Sequence, residues 1–175
     1  LFFTGSVPVG KTLMAKAAEA LTPVSLELGG NDPMLVCPDA NLERAVNGAM
    51  WAGLQNSGQS CGGVERIYVH RDVYEPFVRL LKQRVETLRQ GPNTDHNVDI
   101  GAMCTERQIK TIQRQVEDAL TKGATLLAQV KIDPAHARAN FYPVTVLTDV
   151  DHSMELMREE TFGPVLGVMK VDDME

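Results

Sequence analysis

The sequence has few of the features that define several large classes of protein. Its three cysteines stand at no spacing typical of zinc sites or disulfide frameworks, which favours a reducing compartment. It has no apolar run of membrane-spanning length and no basic leader of the signal-peptide type. Its net charge is −6 and its lysines and arginines are scattered, so nothing marks a nucleic-acid surface. We therefore expect a cytoplasmic protein with no metal site, no nucleic-acid partner and no membrane association.

Several single residues have plain structural interpretations. Cys37 lies in an apolar run, and we expect it and Cys104 to be small buried hydrophobes. The histidines stand at no ligand spacing, so a lone surface position is expected for each of them: His70, His96, His136 and His152.

Both ends of the chain suggest a piece of a longer protein. Residues 1–3 already have the pattern of a buried strand, and residues 171–175 follow an apolar strand without a clear stop. The 175 residues, 43% of them hydrophobic, are nevertheless enough for an ordinary domain with a real core.

Strand and helix patterns alternate along the chain. Short apolar strands are expected at residues 1–4, 24–28, 33–37, 64–70, 124–130, 144–147 and 164–171. Helices are expected at residues 9–21, 42–54, 73–88 and 105–120, with a short one at 153–157. The first strand, helix and strand form a parallel crossover unit. This order predicts an α/β fold with a mainly parallel sheet flanked by helices.

Cys61 follows residues 56–60, which are small, polar and flexible, so it is expected in an exposed loop just past a helix. Upstream, Glu27 lies inside the strand expected at residues 24–28, which Gly29 and Gly30 end. A nucleophile and a possible base, each beside glycines, are typical of two halves of one active site.

Residues 5–12 fit the phosphate-binding motif G-x-x-x-x-G-K-S/T, after a strand and before a helix. However, Pro8 removes one backbone donor from the loop. The carboxylate that should end a nearby strand is poorly matched by Glu27, inside a strand, or by Asp39. An NTPase, a plain turn and a dinucleotide phosphate at the helix N-terminus are the three interpretations.

Four segments, in this order, resemble the NAD(P)-dependent aldehyde dehydrogenase superfamily. They are Phe3-Thr4-Gly5-Ser6 with Val9-Gly10-Lys11, Glu27-Leu28-Gly29-Gly30-Asn31-Asp32-Pro33, residues 56–61 with Arg66-Ile67-Tyr68-Val69, and Glu159-Glu160-Thr161-Phe162-Gly163-Pro164-Val165. The resemblance spans nearly the whole chain. It implies a remnant of a dinucleotide-binding domain at residues 1–33. It also implies an aldehyde dehydrogenase-like catalytic domain at residues 34–175, truncated at its C-terminal end.

The resemblance implies Cys61 as the nucleophile and Glu27 as the general base. It also implies a site for NAD or NADP. Gly5 and Ser6 would lie at the diphosphate, Leu28 and Gly29 beside the nicotinamide, Glu160 on the nicotinamide ribose and Phe162 close by. Taken singly, Glu27 could be a solvent-facing strand residue, Glu160 part of a solvated turn and Phe162 a core residue. The order of the motifs favours the active site.

The implied reaction oxidises an aldehyde to a carboxylic acid through a thiohemiacetal and a thioester on Cys61. Glu27 favours an acid-forming enzyme over the relatives that pass the acyl group to coenzyme A. The resemblance further implies a homo-oligomer for the full-length protein. It implies an inactive isolated chain, because an oxyanion-stabilising asparagine and the adenosine site would lie upstream. The alternatives are a P-loop NTPase and a catalytically dead interaction module that keeps the fold.

Overall fold

The computed structural model describes residues 1–92, 94, 96–133 and 140–173, and it forms two compact units, Leu1–Gly30 and Asn31–Glu175. The domain boundary expected after residue 33 stays a prediction. The predicted position of His136 and the last two residues of the chain lie outside the described residues.

The first unit is a parallel strand, helix and strand. Strands β1 (Phe2–Thr4) and β2 (Ser25–Glu27) pair in parallel and are joined by helix α1 (Val7–Glu19). The crossover unit is therefore confirmed, although burial of the first strand is wrong, because Phe2 is 89% exposed. β1 has β2 as its strand neighbour and alternates in exposure, as expected for a strand at a sheet edge.

The second unit contains a five-stranded sheet in the order β3-β4-β7-β6-β5. Its strands are β3 (Asp32–Val36), β4 (Val64–His70), β5 (Thr125–Gln129), β6 (Thr145–Thr148) and β7 (Val165–Val171). Every neighbouring pair is parallel except β5 and β6, which are antiparallel. The predicted α/β class with a mainly parallel sheet is confirmed.

The helices of this unit are α2 (Leu42–Leu54), α3 (Arg71–Val85) and α4 (Glu106–Thr121), with short 3-10 helices at Gln55–Gly58 and Glu155–Met157. Side chains that accept a backbone N–H fix the start of each long helix. Asn41 accepts from Arg44 (3.0 Å), His70 from Asp72 (3.3 Å) and Thr105 from Gln108 (3.3 Å). The cap role explains why the His70 side chain is only 12% exposed, against the expected surface position. His96 and His152 are exposed, as expected.

The sheet is covered on both faces. Successive strand residues point to opposite sides, so Val146 and Leu147 of β6 join different hydrophobic clusters. Phe77 of α3 lies in one cluster, which also holds buried residues of α2, and Ile112 of α4 lies in the other. Two covered faces explain the nearly continuous apolar sequence of β6 and β7.

The expected burial of two cysteines is wrong. Cys37 and Cys104 are exposed, as is Cys61, and all three are free thiols. Cys37 follows β3, an edge strand whose Leu35 is itself 62% exposed. An apolar run on an edge strand therefore does not imply a core position.

Thr105→Ala should lower the free energy of unfolding by about 1 kcal/mol, because the Gln108 N–H at the start of α4 loses its acceptor. Urea denaturation of the protein would measure the change. Thr111→Ala is the matched control, since Thr111 lies inside the same helix and donates to the Arg107 carbonyl. An equal loss in both variants would contradict the cap role.

Candidate active site

Cys61 lies in a turn that reverses the chain between α2 and β4. Asn56 (φ 51°), Ser57 (φ 59°) and Gly58 (φ 71°) are three successive residues in the left-handed region. Asn56 donates from Nδ2 to the Gln59 carbonyl, and Gln59 donates from Nε2 to the Asn56 carbonyl, both at 3.0 Å. This reciprocal pair holds a backbone shape that non-glycine residues adopt only at a cost.

The loop is buried beneath an exposed thiol. Ser57 is 5% exposed and Gln59 8%, whereas Cys61 faces solvent. Ser57 donates from Oγ to the Gly101 carbonyl (3.1 Å), and Gln59 accepts from the Cys104 N–H (2.8 Å). Among the residues that the structure describes, no backbone carbonyl accepts from the Cys61 N–H. The exposure of the candidate nucleophile Cys61 agrees with the prediction, whereas the buried and hydrogen-bonded residues before it differ from the expected flexible stretch.

Glu160 and Phe162 form a second turn, just before β7. Phe162 adopts a left-handed φ of 48°, and the Thr161 between them is 1% exposed. Two side chains of α4 hold the carbonyls of this turn. Gln115 donates to Glu160 O at 3.1 Å, and Gln108 donates to Thr161 O at 2.7 Å.

The cysteine loop and this turn are in direct contact. A Cβ atom placed on Gly58 would overlap the carbonyl group of Gly163, the residue after Phe162. Glycine at position 58 therefore permits both the left-handed backbone and the close approach of the second segment. Of the residues proposed for the site, the structure brings the loop of Cys61 together with the turn of Glu160 and Phe162.

Glu65 is a buried acid that the sequence analysis did not single out. It is 4% exposed, and its two carboxylate oxygens accept the N–H groups of Thr161 (2.8 Å) and Phe162 (2.7 Å). Burial raises its pKa to about 7, which the two N–H donors oppose. Its position could have been found from the strand pattern, because Glu65 shares the parity of Ile67 and Val69, which are fully buried.

The other proposed site residues belong to the first unit. Glu27 ends β2 and is exposed, as is Ser25, while Leu26 between them is less exposed. Leu28 is half-buried and packs on Gly10, where a Cβ would lie 2.7 Å from a Leu28 methyl carbon. Gly29 follows it and is also half-buried.

The N-terminus of α1 suits a phosphate but not a P-loop. A P-loop wraps phosphates with an open run of backbone N–H groups. Here the helix already begins at Val7, and the Gly10 N–H donates to the Ser6 carbonyl at 3.0 Å. This geometry does not favour the NTPase interpretation.

A dinucleotide phosphate fits the same helix end. Gly5 precedes the cap residue Ser6, whose hydroxyl makes no capping hydrogen bond, and the first turn carries no acidic residue. The dipole and the free N–H groups of this 13-residue helix therefore meet no opposing charge there. At the other turn, a carboxylate such as that of Glu160 can accept both hydroxyls of a ribose.

Within the described residues, no three histidine, cysteine or acidic side chains converge to hold a metal ion. The helices described there are too short or too polar to cross a membrane.

Comparison with known proteins covers the whole chain. The model of the aldehyde dehydrogenase family matches residues 1–175. Succinate-semialdehyde dehydrogenase (NADP+) of Mycobacterium avium is 41% identical over 172 residues, which is 98% of this chain and 36% of the relative. The chain thus spans about a third of the length of this curated relative.

Solved structures agree with this match. The succinate-semialdehyde dehydrogenase of Burkholderia pseudomallei superposes with a TM-score of 0.93 and 38% identity, covering 99% of this chain and 36% of that one. The NAD+ complex of an aldehyde dehydrogenase from Bacillus cereus superposes with a TM-score of 0.91 and 34% identity, covering 98% of this chain and 35% of that one. The chain therefore belongs to the aldehyde dehydrogenase family.

Proposed function

We propose that this chain supplies the nucleophile, the base and part of the cofactor site of an enzyme that oxidises an aldehyde to a carboxylic acid with NAD or NADP. The observation that carries the proposal is the exposed Cys61, presented by a buried, braced loop that contacts the turn of Glu160 and Phe162. Family membership supports it.

Cys61 performs the first step. Its thiolate attacks the carbonyl carbon of the aldehyde, so a carbon–sulfur bond forms and the carbonyl electrons move to oxygen. The Cys61 N–H donates to no backbone carbonyl of the described residues, and we assign it as a donor to the resulting oxyanion.

The oxyanion then collapses and the carbon loses a hydride, which leaves a thioester on Cys61. A bound NAD(P)+ would supply the hydride acceptor. Gly5 and Ser6 would bind its diphosphate at the start of α1, and Leu28 and Gly29 would line the nicotinamide. Glu160 would accept the hydroxyls of the nicotinamide ribose, and Phe162 would pack beside it.

Glu27 completes the reaction. Its carboxylate takes a proton from water, whose oxygen attacks the thioester carbon, and the carbon–sulfur bond then breaks. The products are the carboxylic acid and the regenerated Cys61 thiolate. Glu27 is exposed to solvent and is followed by two glycines, so water and movement are both available to it.

Succinate semialdehyde is the first aldehyde to test, because two of the three relatives described above carry its name. We place the whole protein in the cytoplasm, in keeping with its three free thiols. We also expect a homo-oligomer, since β3 and β5 are sheet edges that can pair with another chain.

In the whole protein, Cys61→Ala should abolish aldehyde oxidation, because no thiohemiacetal can form. Steady-state production of NAD(P)H would measure the loss. Cys37→Ala is the matched control, since Cys37 is equally exposed and free, and it should keep wild-type turnover. Normal turnover in Cys61→Ala would refute the proposed chemistry. That result would favour the alternative function, a catalytically dead interaction module that keeps the family's fold.

Glu27→Gln should slow thioester hydrolysis far more than acylation, by about 10²- to 10⁴-fold, because an amide cannot take the proton from water. Rapid-mixing kinetics should then show a burst of NAD(P)H followed by slow turnover. Glu19→Gln, at the exposed end of α1, is the control and should give the wild-type time course. Loss of the burst itself would contradict the assignment of Glu27 to hydrolysis.

Residues 1–175 expressed alone should produce no NAD(P)H from aldehyde, because they span only 36% of the length of the curated relative. The family resemblance implies that groups completing the proposed cofactor and oxyanion sites lie in the rest of that length. Cys61 should still react with iodoacetamide in this piece. Aldehyde-dependent turnover by the isolated piece would overturn this expectation.

A further inference from the structure

Glu65 occupies an unusual position for a carboxylate. It lies near the start of β4, on the face of that strand that carries the fully buried Ile67 and Val69. The backbone pairing of β4 with β7 begins one residue later, at Arg66 and Gly167. At the position of Glu65, β4 therefore contacts the segment before β7 through a side chain and not through backbone pairing.

The carboxylate binds two successive N–H groups, one on each oxygen. Those of Thr161 and Phe162 point to it from 2.8 and 2.7 Å. Successive N–H groups next to a left-handed residue form a concavity that binds anions, and Phe162 is that left-handed residue. Here the anion is a side chain of the protein itself.

Three amide side chains donate to carbonyls of this turn and of the residue before it. Gln115 donates to Glu160, Gln108 donates to Thr161, and Asn31 donates to Glu159 at 3.0 Å. The amide side chains therefore hold the carbonyl side of the turn, and Glu65 holds its N–H side. Glu160 is covalently next to the first N–H group that Glu65 binds.

We propose that Glu65 is a positioning residue for cofactor binding. By binding both N–H groups after Glu160, it fixes the turn that presents the Glu160 carboxylate to the nicotinamide ribose. The inference rests on the proposed role of Glu160 in the cofactor site. Glu65 itself contacts neither substrate nor cofactor.

Protonation should weaken this arrangement. A carboxylate accepts on both oxygens, whereas a carboxylic acid carries a hydrogen on one of them. The pKa of Glu65 is about 7, raised first by burial and then by Glu160 and Asp32, against the two N–H donors. The neighbouring Arg66 donates to the Asn31 carbonyl instead. Cofactor affinity should therefore fall as the pH drops through about 7.

The raised pKa of Glu65 also shows whether weaker cofactor binding near pH 7 could result from unfolding. Since it lies above the ordinary value of 4.5, the folded state takes up the proton before the unfolded chain does. This group therefore stabilises the folded protein progressively as the pH falls from 7 to 4.5, and stability is lost in the reverse direction. A fall in affinity near pH 7 is thus not a consequence of unfolding at Glu65.

Glu65→Gln is the informative substitution. Glutamine keeps the shape of the neutral acid, which the fold accommodates near pH 7, but it offers one acceptor oxygen instead of two. Glu65→Asp keeps the charge and withdraws it by one methylene. Asp118→Asn is the matched control, because Asp118 also accepts a backbone N–H, that of Glu155 at 2.8 Å, outside the turn.

Titration calorimetry of the whole protein with NAD+ and with NADP+ would measure the effect. Glu65→Gln should raise the Kd of the preferred cofactor by about tenfold and change kcat less than KM, as expected for one lost charge-assisted hydrogen bond. It should also remove the fall in affinity near pH 7. Hydrogen exchange of the peptide covering residues 159–163, without cofactor, should accelerate. Glu65→Asp should also raise the Kd and accelerate the exchange. Asp118→Asn should have the Kd and the exchange rate of the wild type.

The variant Glu160→Gln separates this inference from the proposed function. If Glu160→Gln weakens cofactor binding and Glu65→Gln then adds little in the same protein, Glu65 acts through Glu160. Weakening by Glu160→Gln alone, with no effect of Glu65→Gln, would overturn the inference and leave the proposed function intact. A full, independent effect of Glu65→Gln in the double variant would also overturn it. No effect of Glu160→Gln would overturn the ribose role and the inference together.

Discussion

The arrangement of the site depends on the close approach of two backbone segments, at Gly58 in the cysteine loop and at Gly163 ahead of β7. A Cβ on Gly58 would overlap the Gly163 carbonyl group, and a Cβ on Gly163 would overlap the Ile112 side chain of α4. Because the gap at Gly58 has no room for a side chain, the two segments are packed backbone to backbone at that point. This main-chain contact and the side chains that hold the turn together set the position of the Cys61 loop relative to the turn of Glu160.

The topology of the sheet explains why these two segments meet. β4 and β7 are parallel neighbours, and the Cys61 loop precedes β4 while the turn of Glu160 precedes β7. Segments that precede two parallel neighbouring strands lie at the same end of the sheet, next to the amino ends of those strands. The contact thus forms at the amino ends of the strands, whereas ligands of open α/β sheets commonly bind at the carboxyl ends. Here the strand order brings the proposed nucleophile loop and the proposed cofactor turn to the same end of the sheet.

Local features of this chain could be predicted from the sequence, and the pairing of distant segments could not. The period of apolar residues predicted β4 at residues 64–70 and α2 at residues 42–54 with the bounds that the structure has. Small polar residues predicted the exposure of Cys61, but not the burial of Ser57 and Gln59 just before it. Strand order is a non-local property, so the contact of that loop with Gly163 had no local signal.

Errors in burial have the same origin. Cys37 and Phe2 stand in apolar runs, yet both are exposed, because β3 is an edge strand and β1 has one described strand neighbour. An apolar pattern states which residues favour burial, but the presence of a neighbour decides which are buried. Glu65 is the converse case. Its charge suggests solvent, while its parity with Ile67 places it in the interior.

The buried carboxylate of Glu65 provides acceptors for two backbone N–H groups but loses its own hydration. An apolar side chain there would leave the N–H groups of Thr161 and Phe162 unpaired, at about 1–3 kcal/mol each. A carboxylate satisfies both but loses its hydration, and the pKa of about 7 indicates that the loss of hydration outweighs the two hydrogen bonds. The turn that carries Glu160 is therefore held by a group whose charge changes near neutral pH.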